Sequence, residues 1–261
     1  MCNEDDKYYD RNWLRMLLGT DQINIDFNLA NTNKGLLQRM RKGNGEFTSL
    51  GTLNLNTQFK SKSSKINDWM SAIIDLDLDV FIATEVRFTF EHDYIEIFNS
   101  YNIYNERVGN GCIAIFVKKK FKVKVKKIDP QYVILDIGKF RVIGIYPNNT
   151  DILMDVLVSI DKYVHHKTIV AGDFNATLRK EDRNHGSQKS CDIKFRDWVV
   201  KKELKDLSED FGIGKYWTFR RGGSKSKIDH ILGGEFFCNI TYEVEYCIFK
   251  HMRDSKKRDS L

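Results

Sequence analysis

The chain has 261 residues, of which 41% are apolar and 12% aromatic, and its formal net charge is +6. This composition excludes a disordered chain, and no apolar run approaches the ~20 residues that a membrane-spanning helix needs. The length suits one large domain as well as two small ones, and the mild positive charge is compatible with a polyanionic partner without requiring one.

The N-terminus and the cysteines indicate a compartment. The first residues lack the basic and then apolar pattern of a secretory signal peptide. The five cysteines are odd in number and contain no CxxC pair, so neither a zinc site nor a disulfide framework is expected. We therefore expect an intracellular protein, nuclear or cytoplasmic and not secreted, that is a monomer without membrane or disulfide-linked partners.

Residues 1–46 are polar and weakly patterned. The spacing of apolar residues over 10–18 predicts a short amphipathic helix, and the Asn- and Asp-rich stretch 24–34 is typical of a loop. We expect residues 1–46 to form a partly irregular N-terminal appendage. The main domain is expected over 47–261, with a C-terminal strand that is short or truncated.

From residue 50 onward, short apolar runs with strand or helix periodicity follow one another. Alternating or short apolar runs predict strands over 50–56, 79–85, 113–117, 121–126, 132–137, 140–146, 168–171, 216–219 and 227–232. Helical spacing predicts helices over 66–76, 151–165 and 193–204. Because the strands come in meanders and pairs with helices interspersed, a mixed α/β sandwich is favoured over a doubly wound parallel sheet.

Polar residues cluster at the ends of predicted strands, where loops can direct them toward a common cleft. The clusters are Asn54 with Asn56, Glu85, Gly172-Asp173-Phe174-Asn175 and Ile228-Asp229-His230, and His251 follows near the C-terminus. Each alone has an ordinary structural explanation, since a strand-end carboxylate can make a salt bridge and Gly-Asp-x-Asn is good turn chemistry. Likewise His230 alone could be a surface side chain. Their joint order and placement carry the functional argument.

These residue types match what the hydrolysis of a phosphodiester requires. A hard cation must neutralise the phosphoryl oxygens, a base must deprotonate water, and donors must meet the developing negative charge. Glu85 and Asp173 suit the first two tasks. Asn54 and Asn175 can position water or phosphate without adding charge, and a histidine paired with an aspartate supplies a further donor.

Six short segments follow one another in an order that carries a resemblance. They are Asn54-Leu55-Asn56, Thr84-Glu85, Gly111-Cys112-Ile113-Ala114-Ile115, Ile145-Tyr146-Pro147-Asn148, Gly172-Asp173-Phe174-Asn175 and Ser226-Lys227-Ile228-Asp229-His230-Ile231. Together they resemble the endonuclease/exonuclease/phosphatase superfamily over about residues 50–251, and the last segment looks most like the endonuclease domains of non-LTR retrotransposons. The resemblance implies a DNase I-like, four-layer α/β sandwich of two packed mixed sheets flanked by helices.

The resemblance also implies a Mg²⁺ or Mn²⁺ cofactor and roles for individual residues. Glu85 is expected to be the principal metal ligand, with Asn56 as a second candidate. Asp173 is expected to orient or activate the attacking water. Asn175 would lie beside Asp173 and contact the phosphate, and Asn54 would belong to the same polar surface of the active site.

The sequence departs from the family pattern at three places: around Tyr146, at Lys250, and at the C-terminus, where the usual last strand is expected to be short or missing. Tyr146 is expected to contact the phosphate through its hydroxyl, although it directly precedes Pro147 where the family has one residue between them. Asp229 is expected to orient His251 as a donor to a phosphate oxygen. Lys250 stands where the family has a carboxylate that assists the metal, and a cation there opposes metal binding.

The expected function is therefore a metal-dependent phosphodiesterase that nicks DNA, as retroelement endonucleases do. Two alternatives stay open. One is a catalytically degenerate descendant that binds nucleic acid without cleaving it, which Lys250 suggests. The other is a phosphatase of the same fold.

Two basic clusters are candidates for contacting DNA. Lys122 and Lys124 belong to a lysine-rich strand that is either a solvated edge strand or a phosphate-contacting stripe. The second cluster precedes Asp229 and is the better candidate because it is close to the presumed cleft. It consists of Arg220, Arg221, Lys225 and Lys227. Either cluster would bind the DNA backbone without reading its sequence.

Overall fold

The structure, a computed structural model, describes residues 12–18, 49–54, 74, 77–86, 99–106, 111–185, 188–207, 217–221, 223–238 and 242–248. The first of its two large sheets contains β1 (Asn12–Leu18), β2 (Ser49–Asn54), β3 (Val80–Val86), β4 (Tyr101–Asn105), β5 (Cys112–Lys118) and β14 (Tyr242–Ile248). The second contains β6 (Val123–Asp129), β7 (Tyr132–Ile137), β8 (Phe140–Ile145), β9 (Thr168–Asp173), β10 (Lys205–Asp206) and β13 (Asp229–Gly233). A separate two-stranded ribbon pairs β11 (Phe219–Arg221) with β12 (Ser224–Ser226). The helices are α1 (Leu153–Ile160), α2 (Ser190–Lys201) and α3 (Glu235–Cys238).

The strand order places one parallel pair inside each large sheet. The first sheet has the order β14-β1-β2-β3-β5-β4 and the second β10-β13-β9-β8-β7-β6. Among the described strands, β2 with β3 and β8 with β9 run parallel, and the other neighbours run antiparallel. Asn54 therefore ends beside Thr84, and Ile145 ends beside Gly172. Each sheet thus has one edge at which two neighbouring strands lead into loops together.

The two sheets pack face to face through a continuous apolar layer. Leu50 and Ile82 from the first sheet meet Val142 and Ile169 from the second, and all four are fully buried. Burying an aliphatic side chain of this size stabilises the fold by about 1.5–3 kcal/mol. This layer therefore holds the two sheets in a fixed relative position.

The helices α1 and α2 cover the outer face of the second sheet. Leu157 of α1 and Phe195 of α2 pack against Ile143 and Val170 of that sheet. The predicted mixed α/β sandwich is therefore confirmed. No helix in the described part of the chain is both long enough and apolar enough to cross a membrane.

Most predicted elements are present with small shifts at their ends. The helix predicted over 151–165 is α1 followed by a short 3-10 turn at Asp161–Tyr163, and the helix predicted over 193–204 is α2. Strand β9 continues beyond its predicted end at Ala171, because Asp229 pairs opposite Asp173 and extends the ladder. The helix predicted over 66–76 lies, apart from residue 74, outside the described residues.

The helix predicted over 10–18 is wrong. Residues Asn12–Leu18 form β1, which pairs with β14 on one side and with β2 on the other. A short apolar run satisfies helix and strand periodicity equally, and pairing on both sides decides in favour of the strand. This part of the predicted appendage therefore belongs to the first sheet, and the rest of residues 1–46 lies outside the described residues.

Candidate active site

The ends of the two parallel strand pairs meet across the sandwich. Asn54 ends β2 in the first sheet, and Asp173 ends β9 in the second. The side-chain amide of Asn54 donates a hydrogen bond from Nδ2 to Oδ2 of Asp173 over 2.7 Å. This contact joins the two sheets at one polar point, which is the centre of the candidate site.

The local backbone at the end of β9 explains why the Gly-Asp-Phe-Asn segment takes its shape. Gly172 has a φ of +140°, and a Cβ at this position would lie 2.1 Å from the carbonyl oxygen of Ile145, so only glycine fits. Phe174 is fully buried, with its ring centroid 4.6 Å from that of Phe195. The aromatic anchor and the glycine together fix the polar residues on either side of Phe174.

Asn175 completes the hold on the Asp173 carboxylate. Its backbone N–H donates to Oδ1 of Asp173 over 2.8 Å, while its Nδ2 donates to the carbonyl oxygen of Pro147 over 2.7 Å. Asn175 has a φ of +51°, a left-handed conformation that asparagine tolerates better than most residues. Both oxygens of Asp173 therefore accept a hydrogen bond, and the carboxylate has a single orientation.

Glu85 lies near the end of β3, at an irregularity of the strand. The register between β3 and β5 shifts between Ala83 and Val86, and Glu85 has a φ of +56°. A left-handed glutamate is uncommon and costs conformational energy, and such residues concentrate at functional sites. The side chain is partly exposed, and its negative charge acts on both Asp173 and Asp229.

Asp229 lies directly opposite Asp173 on the neighbouring antiparallel strand. Its backbone N–H donates to Oγ1 of Thr218 over 3.1 Å, and the N–H of Ile228 donates to the same hydroxyl over 2.9 Å. Asp229 is 8% exposed, and its Oδ1 has no hydrogen-bond partner among the described residues. A buried carboxylate oxygen without a partner is costly, so this atom is available for a group that the described chain does not supply.

Burial sets the protonation behaviour of the two facing carboxyl groups. It raises the pKa of Asp173 to about 6, with a further contribution from the charge of Glu85, against the hydrogen bonds from Asn175 and Asn54. Burial likewise raises the pKa of Asp229 well above its usual range, and the charge of Asp173 adds to this effect. The site is therefore a buried group of like charges, which is the arrangement that tunes catalytic groups.

A second buried polar network lies beside this group. Asp206 accepts hydrogen bonds through Oδ2 from Nζ of Lys227 over 2.7 Å and from Nδ1 of His230 over 3.0 Å. Burial raises the pKa of Asp206, but the hydrogen bond from His230 and the charge of Lys227 outweigh it and hold the pKa well below its usual range. The other ring nitrogen of His230 lies 3.2 Å from the carbonyl oxygen of Ala176. This network anchors β10, β13 and the turn after β9 to one another.

One prediction for this region is wrong. Lys227, predicted to contact nucleic acid, is 3% exposed and is paired with Asp206, so it cannot reach a DNA backbone. His230 is fully buried rather than a surface side chain. The sequence showed Lys227 and His230 but not their shared partner, because Asp206 is contributed by a different strand.

The other predicted site residues have different placements. Tyr146 is only 6% exposed and packs in the layer between the sheets. Lys122 and Lys124 are exposed at the start of β6, an edge strand that β7 and β8 separate from β9. Asn56 and His251 lie outside the described residues.

The basic cluster before Asp229 lies on the ribbon. Arg220 is in β11, opposite Lys225 in β12, and Arg221 follows it. Asn184 holds this ribbon, since its Oδ1 accepts from the backbone N–H of Lys225 and its Nδ2 donates to the carbonyl of Gly223. Thr218 immediately precedes β11 and contacts the backbone of Asp229, so the ribbon is attached directly to the candidate site.

Sequence reasoning missed three contributors: Thr218, Asn184 and Asp206. Thr218 and Asn184 act through backbone contacts that no local pattern predicts. Asp206 left one weak signal, because it interrupts the apolar residues Leu204 and Leu207 and is itself buried.

The residues of the site are oxygen donors, which hard divalent cations prefer. Glu85 is the partly exposed carboxylate, and Asp229 has a carboxylate oxygen without a described partner. Within the described ranges, no group of three or more His, Cys, Asp or Glu side chains is arranged to hold a metal ion. Mg²⁺ usually binds through one or two carboxylates and completes its shell with water and substrate phosphates, so the residues present fit a metal of that kind.

Several solved structures, of two endonucleases and a 3' phosphatase, are similar to this chain in fold. The endonuclease domain of TRAS1, a telomere-specific non-LTR retrotransposon, has 15% sequence identity and a TM-score of 0.54, covering 71% of this chain and 83% of that one. An AP endonuclease from Archaeoglobus fulgidus has 14% identity and a TM-score of 0.53, covering 65% and 81%. The 3' phosphatase NExo from Neisseria, solved with a product DNA hairpin, has 15% identity and a TM-score of 0.52, covering 65% and 81%. At this identity the likeness concerns the fold.

The family is shown by a comparison of sequence. A family model described as the Endonuclease/Exonuclease/phosphatase family matches residues 51–246, about three quarters of the chain. The match contains the whole candidate site of described residues, from Asn54 to Asp229. The chain therefore belongs to the endonuclease/exonuclease/phosphatase family, whose members are hydrolases that act on phosphodiester bonds.

Proposed function

We propose that this protein is a divalent-metal-dependent endonuclease that nicks DNA. One observation carries the proposal: Asp173 is a buried carboxylate held through both oxygens, by Asn54 from the opposite sheet and by Asn175. A carboxylate that only caps a turn needs no donor from a distant strand. The arrangement suits a group whose orientation matters for a reaction.

Asp173 is the proposed general base. Its pKa is raised to about 6, so it is ionised near neutral pH and binds a proton more readily than an ordinary aspartate does. Asn54 and Asn175 keep the carboxylate aimed at one point, where it would accept a proton from the attacking water. The side chains of Asn175 and His251 are the proposed hydrogen-bond donors to the phosphoryl oxygens.

Asp229 is the proposed orienting group for His251. Its Oδ1 has no hydrogen-bond partner among the described residues, so it can accept from an imidazole N–H. Such a pair would present the other ring nitrogen to the phosphate, as in other sites where a carboxylate fixes the tautomer of a histidine.

Glu85 would hold the cation, with Asn56 as a second candidate. When bound, a divalent cation supplies charge neutralisation at the phosphoryl oxygens and at the leaving oxygen. The left-handed backbone of Glu85 and the adjacent shift in register support this assignment, because they turn its carboxylate away from the regular position that a strand residue would have.

DNA is the proposed substrate for two reasons. The ribbon carries Arg220, Arg221 and Lys225 and is attached to the site through Thr218, so basic residues lie close to the cleft. The structures of similar fold include a retrotransposon endonuclease domain, an AP endonuclease and an enzyme solved with a DNA hairpin. Basic side chains beside a hydrolytic site would hold a phosphate backbone.

The direct test is nicking of supercoiled plasmid by the purified protein with Mg²⁺ or Mn²⁺, in parallel with Asp173→Ala. We expect open-circular product from the unchanged protein and about 10²–10⁴-fold less from the variant. Absence of nicking by both proteins, with salt-sensitive DNA binding retained, would instead indicate the degenerate descendant. Restoration of nicking by Lys250→Asp would then identify Lys250 as the cause. Release of phosphate from small phosphoesters, with plasmid untouched, would indicate a phosphatase.

A further inference from the structure

The helices on the outer face of the second sheet form an open groove of about 840 Å³. This helix groove lies between α1 and α2 and is lined by Met154, Val158, Lys162, Lys194, Trp198 and Lys201 among others. None of its lining residues belongs to the candidate active site. Its chemistry is therefore not explained by phosphodiester hydrolysis.

One wall of the helix groove is apolar. Met154 and Val158 are one turn apart on α1, so their side chains are neighbours on the helix surface. Val158 is 70% exposed, although α1 already buries Leu157 and the other residues of its core-facing row. A single exposed valine has no significance, but here it extends an apolar row that lines a concave surface.

The opposite wall is cationic. Lys194 and Lys201 are two turns apart on the same face of α2 and form this wall. Lys162, just after α1, and Lys127, at the sheet edge, add further positive charge to the groove. None of these four lysines forms an ion pair with the described part of the chain, whereas Lys202, just outside the groove, pairs with Asp161 at 2.7 Å.

The acidic residues of the helix groove do not neutralise it. Asp161 already accepts from Lys202 and from the indole N–H of Trp198 over 3.0 Å. Asp197 lies 3.7 Å from the guanidinium of Arg196, which is also outside the groove. The charge of Lys201 also acts on Asp161, but the lining contains four lysines and two aspartates. The helix groove therefore keeps a positive potential that favours an anionic ligand.

The two walls together select one class of ligand. A nucleic-acid strand would satisfy the lysines but leave the row of Met154 and Val158 against a charged backbone. Trp198 is only 7% exposed, so its ring is not available to stack on a base as single-strand sites require. An amphipathic segment with apolar side chains on one face and carboxylates on the other is complementary to both walls.

We propose that the helix groove is a docking site for an acidic amphipathic peptide segment of a partner protein. Its apolar side chains would lie against Met154 and Val158, and its carboxylates would face Lys194 and Lys201. Such docking would hold a partner on the face of the second sheet that carries the helices and would leave the DNA cleft open.

The test uses the full chain and two labelled synthetic peptides of identical composition. In one, glutamates and leucines lie on opposite faces of a helix, and in the other the same residues are scrambled. Fluorescence anisotropy is expected to show saturable binding of the amphipathic peptide. The affinity for the scrambled peptide is expected to be at least about tenfold lower. Absence of binding, or equal binding of the two peptides, overturns the proposal.

Matched variants locate the binding. Lys194→Glu/Lys201→Glu is expected to weaken it about tenfold or more, and Val158→Asp to weaken it as well. Val200→Asp is the control, because Val200 is 69% exposed on α2 and does not line the groove. An equal loss of peptide binding in Val200→Asp overturns the proposal. Binding of a single-stranded oligonucleotide that depends on Lys194 and Lys201 to the same extent also overturns it. Circular dichroism of the three variants serves as the check that each is folded.

Discussion

Two buried aspartates on neighbouring strands have opposite surroundings. Asp206 in β10 is held by Lys227 and His230, and its pKa lies well below the usual range. Asp229 in β13 faces Asp173, has one oxygen without a described partner, and has a pKa raised well above the usual range. Both are less than a tenth exposed. The chain therefore neutralises one buried carboxylate completely and leaves the next one to be satisfied from outside.

This difference separates a structural group from a functional one better than burial or residue type does. The network around Asp206 contains its own cation, Lys227, together with a hydrogen bond from His230, and it stabilises the turn after β9. Asp173 and Asp229 instead face each other as like charges, and the unpartnered Oδ1 of Asp229 remains costly until a cation or a substrate donor arrives. The predictions below test this contrast, from the largest expected effect to the smallest.

The largest effect is expected for Asp206→Ala. The change leaves Lys227 and His230 buried without their carboxylate, and breaking a buried pair in this way costs about 3–5 kcal/mol. Equilibrium urea unfolding measures the loss. Lys205→Ala, at the exposed neighbouring position, should change the free energy of unfolding by less than about 0.5 kcal/mol. A loss below about 1 kcal/mol for Asp206→Ala would show that the network is not an anchor.

Asp173→Asn, in contrast to Asp206→Ala, is expected to raise the free energy of unfolding. A pKa raised to about 6 means that the folded chain holds this proton more tightly than the unfolded chain does. The free energy of unfolding therefore falls as the pH rises from about 4 to about 6, by on the order of 3 kcal/mol, and this contribution is constant above that range. Asparagine removes the charge but loses one hydrogen bond, worth about 1 kcal/mol.

At pH ~7 we therefore expect Asp173→Asn to be more stable than the unchanged protein by about 2 kcal/mol, and at pH ~4 no more stable. Nicking should fall about 10²–10⁴-fold. Urea unfolding at the two pH values and the plasmid assay measure these effects. If the difference in free energy of unfolding between the two proteins were the same at both pH values, the charge of Asp173 would not be the cause of the destabilisation.

A smaller effect is expected for Thr218→Val. The change removes the acceptor of the Ile228 and Asp229 backbone N–H groups and should cost about 1–2 kcal/mol, because Thr218 is partly exposed and water replaces part of the loss. Nicking should fall with it, since the backbone of Asp229 is no longer fixed. Thr218→Ser keeps the hydroxyl and should retain both the stability and the nicking activity. Loss of activity in the serine variant as well would place the role of Thr218 in its methyl group.

The smallest effect is expected from Mg²⁺ itself. A ligand present at about ten times its Kd raises the free energy of unfolding by about 1.4 kcal/mol, and here it also relieves the repulsion between the buried carboxylates. Thermal unfolding with and without Mg²⁺, at constant ionic strength, measures the gain. Glu85→Gln should lose it, while Lys205→Ala should keep it. An undiminished gain in Glu85→Gln would falsify the assignment of Glu85 as the cation ligand.

The sequence predicted the parts of the fold that depend on local periodicity. Strands β3, β5, β7 and β8 alternate or are wholly apolar, and they were predicted with small end errors. The segment that became β1 was predicted as a helix, because its seven residues fit either period and only the pairing with β2 and β14 decides. Local patterns cannot contain that information.

The candidate site shows the same limit. Asn54, Glu85, Asp173, Asn175 and Asp229 were singled out by type and position, and the structure brings Asn54 to Asp173 and places Asp229 opposite it. Whether a neighbouring charge is functional or structural was not predictable. Lys227 and His230 belong to the same short segment as Asp229, yet their partner is on β10, and only the strand order brings it to them.

The hydrogen bond from Asn54 to Asp173 also has a consequence for folding. The two residues are 119 positions apart in the chain, and they come from different sheets, so the contact forms only after both sheets have assembled and docked. Contacts of such long sequence separation form slowly, because the loop-closure entropy must be overcome first. Regain of nicking during refolding should therefore follow the last kinetic phase and lag behind the regain of β-structure seen by circular dichroism.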